Sequence, residues 1–153
     1  MRRDRVPRRL VVDGTTWLWS VRHRHRNRHD DCRESLTLRR ADAPHAQLRL
    51  VFRAVPGRLI RDAYWPSGAL GDTHGNNLNL HEPGVVRRFL DEASARGLLP
   101  TAHGVHEVDG WPLFDALAVR ASPGQDQRPV RPSSRAVAAV PAVEVRRTLR
   151  PSR

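Results

Sequence analysis

The stretch Leu10-Val11-Val12-Asp13-Gly14-Thr15-Thr16-Trp17-Leu18-Trp19-Ser20-Val21-Arg22 carries the decision about the fold. Two β-prone runs flank Asp13-Gly14, a pair suited to the positive φ angles of a two-residue hairpin turn. The second run alternates, with Trp17, Trp19 and Val21 on one side and Leu18, Ser20 and Arg22 on the other. Successive side chains of a strand point to opposite faces, so this spacing predicts a sheet with one dry face and one wet one.

Working outward, the polar run from Asn27 to Cys32 reads as a loop. A third strand follows from Glu34 to Arg40, setting Leu36 and Leu38 against Ser35, Thr37 and Arg39. A fourth, Gln47 to Arg53, sets Leu48, Leu50 and Phe52 against Arg49, Val51 and Arg53. Pro56-Gly57 turns the chain into a less regular fifth strand, Arg58 to Trp65. Residues 68–83 read as a polar connector. Val85, Val86, Phe89, Leu90 and Ala93 then form an apolar stripe at helical spacing from Pro83, ended by Gly97-Leu98. A short strand is expected at about Val105 to Val108, and a second helix opens at Asp109-Gly110-Trp111-Pro112 and runs to about Val119. Strands first and helices last give an α+β class. The expected architecture is a four- to five-stranded antiparallel meander with two C-terminal helices on one face. It has a basic arm at 1–8, a single domain at 9–120 and a disordered Arg/Pro/Ala-rich tail at 121–153.

The 153-residue chain has 27 arginines, no lysine and a net charge of +11. Five arginines against one acid fall in residues 1–9, and seven against two acids in residues 121–153, so the centre is nearly balanced. The tail has five prolines and no aromatic residue, too little apolar surface to offset its ordering entropy. No run approaches the roughly 20 apolar residues of a membrane span, and the N-terminal arginines precede no secretory core. A cytoplasmic location is expected. A single cysteine, Cys32, gives no internal disulfide.

Without lysine the chain cannot carry a P-loop, a protein-kinase centre or a pyridoxal Schiff base. Gly-x-Gly-x-x-Gly and Gly-x-Ser-x-Gly are also absent, and His81-Glu82-Pro83-Gly84-Val85 departs from the zincin pattern at its fifth residue. The best metal constellation is His23, His25, His29 and Cys32, whose nitrogen and sulfur ligands suit zinc. Arg22, Arg24, Arg26 and Arg28 are interleaved with it, and their charge opposes a dication.

Arg22, Arg24 and Arg26, joined by Arg39, Arg49 and Arg53, would form a basic wet face able to touch nucleic-acid phosphates. Trp17 and Trp19 fall on the other face, so that surface lacks the aromatic platform on which bases stack. The connector offers a second candidate: Asp72, His74, Asn76, Asn79, His81 and Glu82 are dense in hydrogen-bonding groups and lead into a helix N-terminus. The same residues also suit an ordinary capped loop.

The runs 17–23 and 32–38, Pro66-Ser67-Gly68, Asn79-Leu80-His81-Glu82-Pro83-Gly84 and Asp109-Gly110-Trp111 together resemble a group of small actinobacterial proteins of unknown function. The resemblance covers residues 10 to about 118, implies a GC-rich bacterial source and carries no functional residue across. The leading expectation is a non-enzymatic domain that binds another protein, with no cofactor and no membrane. Nucleic-acid association and a metal-dependent enzyme are the alternatives.

Overall fold

A computed structural model describes residues 6–26, 28–60 and 67–121; the side chains of residues 25, 26, 28–31, 120 and 121 lie outside that description. The elements run β1 (Arg8–Val12), β2 (Thr15–Arg26), β3 (Arg28–Arg40), β4 (Ala46–Arg53), β5 (Arg58–Ile60), β6 (Ala69–Asp72), β7 (Asn77–Asn79), α1 (Pro83–Ala95), β8 (Gly104–Asp109) and α2 (Trp111–Ala121). The fold is α+β. The expected tail at 121–153 lies, apart from the backbone of Ala121, outside the described residues, as do residues 1–5 of the expected arm.

Asp13 and Gly14 take φ values of 47° and 77°, and the turn they make pairs Val12 with Thr15. The register then continues from Trp17 opposite Arg40 to Val21 opposite Leu36, and from Leu36 opposite Leu50. Trp17, Trp19, Val21, Leu36, Leu38, Leu48, Leu50 and Phe52 are buried together on one face. Trp19 is 1% exposed and Trp17 8%, which fixes the orientation of the sheet.

The expected antiparallel meander is present as β1-β2-β3-β4; three details differ. The sheet order is β1-β2-β3-β4-β8, and β8 runs parallel to β4, so the sheet is mixed rather than wholly antiparallel. A parallel neighbour needs a long crossover, and the segment from Ala54 to His103, which includes α1, supplies it. Next, the anticipated fifth strand leaves the main sheet. β5 pairs with β6, and β6 with β7, so the supposed polar connector builds a second, three-stranded antiparallel sheet. Finally, residues 28–32 extend β3 rather than forming a loop. Arg26 pairs with Arg28 beyond an irregularity at Arg24/Arg26; backbone pairing needs no apolar side chain.

The two helices close the dry face. α1 begins at Pro83 and buries Val85, Val86, Phe89, Leu90 and Ala93. Gly97, at φ 66°, ends it in a Schellman turn, with Leu98 N–H donating to the Ala93 carbonyl at 2.9 Å and Gly97 N–H to Ser94 at 3.0 Å. α2 starts where the Asp109 carboxylate accepts Trp111 N–H and the Gly110 carbonyl accepts Phe114 N–H. Leu113, Phe114 and Leu117 join Leu70, Leu80 and the sheet in one core, each fully buried side chain contributing about 1.5–3 kcal/mol. Phe52 meets Phe89 and Trp111 edge-on at 5.6 and 5.4 Å. Arg58 lids this cluster: it grips Asp115 through two bonds of 2.6 and 2.7 Å and lies 5.0 Å over Trp111. Hydrogen bonding to Asp115 raises its pKa above the usual arginine value.

Candidate functional site

The face of the main sheet opposite the core carries no described helix or strand. Its side chains form a lattice set by the register. One row runs Leu18, Arg39, Gln47, Val105; the next Ser20, Thr37, Arg49, Glu107; the third Arg22, Ser35, Val51, Asp109. Arg24, Arg33 and Arg53 extend the lattice beyond the third row. Five of the arginines read from sequence, Arg22, Arg24, Arg39, Arg49 and Arg53, therefore share this surface. The side chain of Arg26 lies outside the described residues.

The charges are unevenly matched. Glu107 sits 3.7 Å from Arg49, 3.7 Å from Arg53 and 3.9 Å from Arg33, three long contacts to one half-exposed carboxylate. Pairs of that kind in water are worth little individually. Among the described residues no carboxylate lies within 4 Å of Arg22, Arg24 or Arg39. Arg22, Arg39 and Arg49 line a depression of about 220 Å³ whose lining also includes Ser20 and Thr37. Among the described residues no Trp or Phe is exposed on this face: Trp17, Trp19, Phe52, Phe89, Trp111 and Phe114 are all buried.

Of the His/Cys constellation, the structure describes the side chains of His23 and Cys32. His23 lies on the core side, 7% exposed at its side chain, and its Nδ1 is 2.8 Å from Glu34 Oε1 across the β2–β3 ladder. The same Glu34 oxygen accepts the Gly68 N–H at 3.1 Å. Glu34 is fully buried, and among the described residues its Oε2 has no hydrogen-bond partner. Cys32 is buried too. Among the described residues no three His, Cys, Asp or Glu side chains converge as metal ligands. The side chains of His25 and His29 lie outside the described residues, and with them half of the proposed ligand set.

The 72–82 loop spends most of its described polar groups on its own turns. Asp72, buried beside the β6–β7 turn, accepts N–H bonds from His74 (2.9 Å) and Asn76 (3.0 Å) through Oδ1 and the Asn76 amide (2.8 Å) through Oδ2. Asn79 Oδ1 accepts the His81 N–H at 2.9 Å. The ring of His81 rests on Gly68, while His74 and Glu82 are exposed. Glu82 occupies the N-cap position of α1 but makes no side-chain cap bond.

The hydrogen bond from the Asn76 amide, helped by the two backbone donors, holds the Asp72 carboxyl below its ordinary value of 3.8. A depressed carboxylate pKa contributes stability that is present above the unfolded value and lost as pH falls through the folded one. The wild-type protein is therefore expected to lose stability below about pH 4, and Asp72→Asn to show a flatter acid limb than wild type. Urea titrations between about pH 5 and 2.5 check this; identical acid limbs would remove Asp72 from the account.

Comparison with protein-family models, with curated proteins and with solved structures found no match in any of the three. Sequence reasoning missed Glu34, although a signal was present: Glu34 shares strand parity with Leu36 and Leu38, and an acid on a dry face needs a partner. It also missed Glu107, whose place beside Arg49 depends on the parallel pairing of β8 with β4.

Proposed function

We propose that this is a non-enzymatic binding domain, acting in the cytoplasm, whose arginine-rich sheet face docks an acidic segment of a partner protein. The observation that carries the reading is that, among the described residues, no carboxylate lies within 4 Å of Arg22, Arg24 or Arg39 on a face that no described element covers. A like-signed patch of this kind steers an oppositely charged partner and fixes its register more than it adds raw affinity. An acidic polypeptide fits better than RNA, because single-stranded nucleic acid is held largely by stacking on exposed aromatic rings. The described face has none. The likeness to small actinobacterial proteins belongs to the same proposal and adds no residue to it.

The test is fluorescence anisotropy with a labelled short polyglutamate peptide and, separately, a labelled oligouridine. Binding of the peptide should weaken steeply with added salt. The double variant Arg22→Glu/Arg39→Glu should weaken it by about tenfold or more. Equal binding by wild type and variant, or tighter binding of the oligouridine at the same salt, would overturn the reading.

A further inference from the structure

We infer that the depression between β2, β3 and β4 is a subsite for one phosphate group, so that the acidic partner is recognised through a phosphorylated side chain. The inference rests on the protein-docking role of this face and gives it a ligand chemistry.

The register places Ser20 directly opposite Thr37, and Thr37 directly opposite Arg49. Arg22 lies two residues along β2 from Ser20, and Arg39 two residues along β3 from Thr37. Because the strands are antiparallel, the two arginines flank the hydroxyl pair at opposite ends. Neighbouring side chains on such a lattice start about 5 Å apart and diagonal ones about 7–8 Å, within reach of a guanidinium on its three-carbon stem. All five residues line the same depression.

The donors suit a phosphate more than a carboxylate. Each guanidinium offers five N–H donors and no acceptor, and each hydroxyl one more donor. Ser20 and Thr37 are half-buried, and among the described residues neither hydroxyl makes a hydrogen bond. A phosphomonoester brings about −1.5 to −2 charges and three acceptor oxygens at neutral pH, where a carboxylate brings one charge and two oxygens. Bidentate Arg–phosphate contacts are among the stronger charge-assisted bonds. At about 220 Å³ the depression is smaller than the roughly 300–1,000 Å³ of ordinary small-molecule pockets, a size for one charged group rather than a whole ligand. A nucleic-acid strand would need several such subsites in series with stacking surfaces between them.

Arg49 is shared. Its Nη1 stands 3.7 Å from Glu107 Oε2, too long for a hydrogen bond, so the carboxylate opposes the incoming phosphate through its charge without occupying the donors. Glu107 is thus a negative control built into the site: removing its charge should help a phosphate and leave the fold intact.

The test uses the full chain with inorganic phosphate, a short acidic peptide carrying one phosphoserine, the same peptide without phosphate, and oligouridine. The phosphopeptide is expected to bind about tenfold tighter than its unphosphorylated form. Arg39→Gln should reduce that ratio towards one, Ser20→Ala/Thr37→Val should lower it severalfold, and Glu107→Gln should raise it. In the unaltered protein, inorganic phosphate should shift the arginine Nε and Ser20 and Thr37 backbone resonances in NMR spectra, a readout that needs no variant. Equal binding of both peptides would remove the phosphate subsite and leave the acidic-face reading standing. If neither peptide binds, both fall. If oligouridine binds tighter than the phosphopeptide, the phosphate belongs to nucleic acid and the proposal is wrong.

Discussion

Replacing Glu34 by alanine is expected to cost about 2–5 kcal/mol of unfolding free energy, from the cavity left by a buried side chain and the acceptor lost to two donors. Whole domains are stable by only about 5–15 kcal/mol, so the variant should sit close to unfolding at room temperature. Glu34 is fully buried and ties three segments together: β3, on which it stands; β2, through His23 at 2.8 Å; and the chain entering β6, through the Gly68 N–H at 3.1 Å. Gly68 cannot yield to compensate. It holds a φ of 87°, and a Cβ there would come within 2.8 Å of the His81 ring. Alanine leaves a cavity and strips the acceptor from a buried N–H. Glutamine keeps an acceptor oxygen for both donors and is expected to cost less, about 1–3 kcal/mol, chiefly by burying an amide where, among the described residues, Oε2 lacks a partner. Urea unfolding of the two variants measures both values. A loss under about 1 kcal/mol for Glu34→Ala would mean that the two sheets are held together by apolar packing alone. A double-mutant cycle with His23→Leu separates the pair from the cavity, because the pairwise term survives only when both partners are present.

The main sheet was legible because its signal is the simplest a chain can carry. Trp17, Trp19, Val21, Leu36, Leu38, Leu48, Leu50 and Phe52 all obey period two, and all are buried on the same face. The turn at Asp13-Gly14 and the cap at Gly97 were legible for a different reason: both need positive φ, and the chain places glycine there. The second sheet was hidden because β5, β6 and β7 are only three or four residues long. Alternation cannot be recognised over so short a run. In β6, moreover, Ala69, Leu70, Gly71 and Asp72 are all buried, so no polar face marks the strand. The parallel pairing of β8 was hidden because register between distant segments is a tertiary fact, with no trace in local spacing.

The same division runs through the candidate site. The arginines of the wet face were readable one strand at a time, since parity alone sets Arg22, Arg24, Arg39, Arg49 and Arg53 against the core. Which of them remain without an acid could not be read, because that depends on Glu107 arriving beside Arg49 on the distant β8. Asp72 shows the converse. Its segment looked like a binding loop because it is polar, yet its donors and acceptors fold the β6–β7 turn upon itself. Density of polar residues in a sequence does not separate groups that await a ligand from groups that already hold the backbone; only the partner of each atom does.

Gly110 is the position where one added methyl group should do the most harm, and Gly110→Ala is expected to cost about 1–3 kcal/mol by overpacking. Gly110 joins β8 to α2. Its N–H donates to the Val51 carbonyl at 2.9 Å, and its own carbonyl accepts the Leu113 and Phe114 N–H groups that start the helix. The residue is therefore pinned on both sides and cannot slide to make room. A Cβ built there would lie 2.8 Å from Phe52 Cδ1 and closer still to Cε1 and Cζ, where real Cβ atoms do not go. Phe52 has nowhere to retreat: it is fully buried, with Phe89 and Trp111 edge-on against its ring. Trp111 in turn is held by its Nε1–H bond to the Arg53 carbonyl at 3.0 Å, so strain entering at Gly110 reaches the sheet through two routes. The cause is steric and lies between two named groups, so it should be reversible at the second. Phe52→Leu alone removes ring volume from a packed core and should destabilise by about 1–3 kcal/mol. Combined with Gly110→Ala it should cost less than the two losses added together, because the shorter side chain vacates the space that the methyl group needs. Thermal and urea unfolding of both single variants and the double variant decide it. Strict additivity would show that the damage at Gly110 comes from the helix start and not from the Phe52 ring.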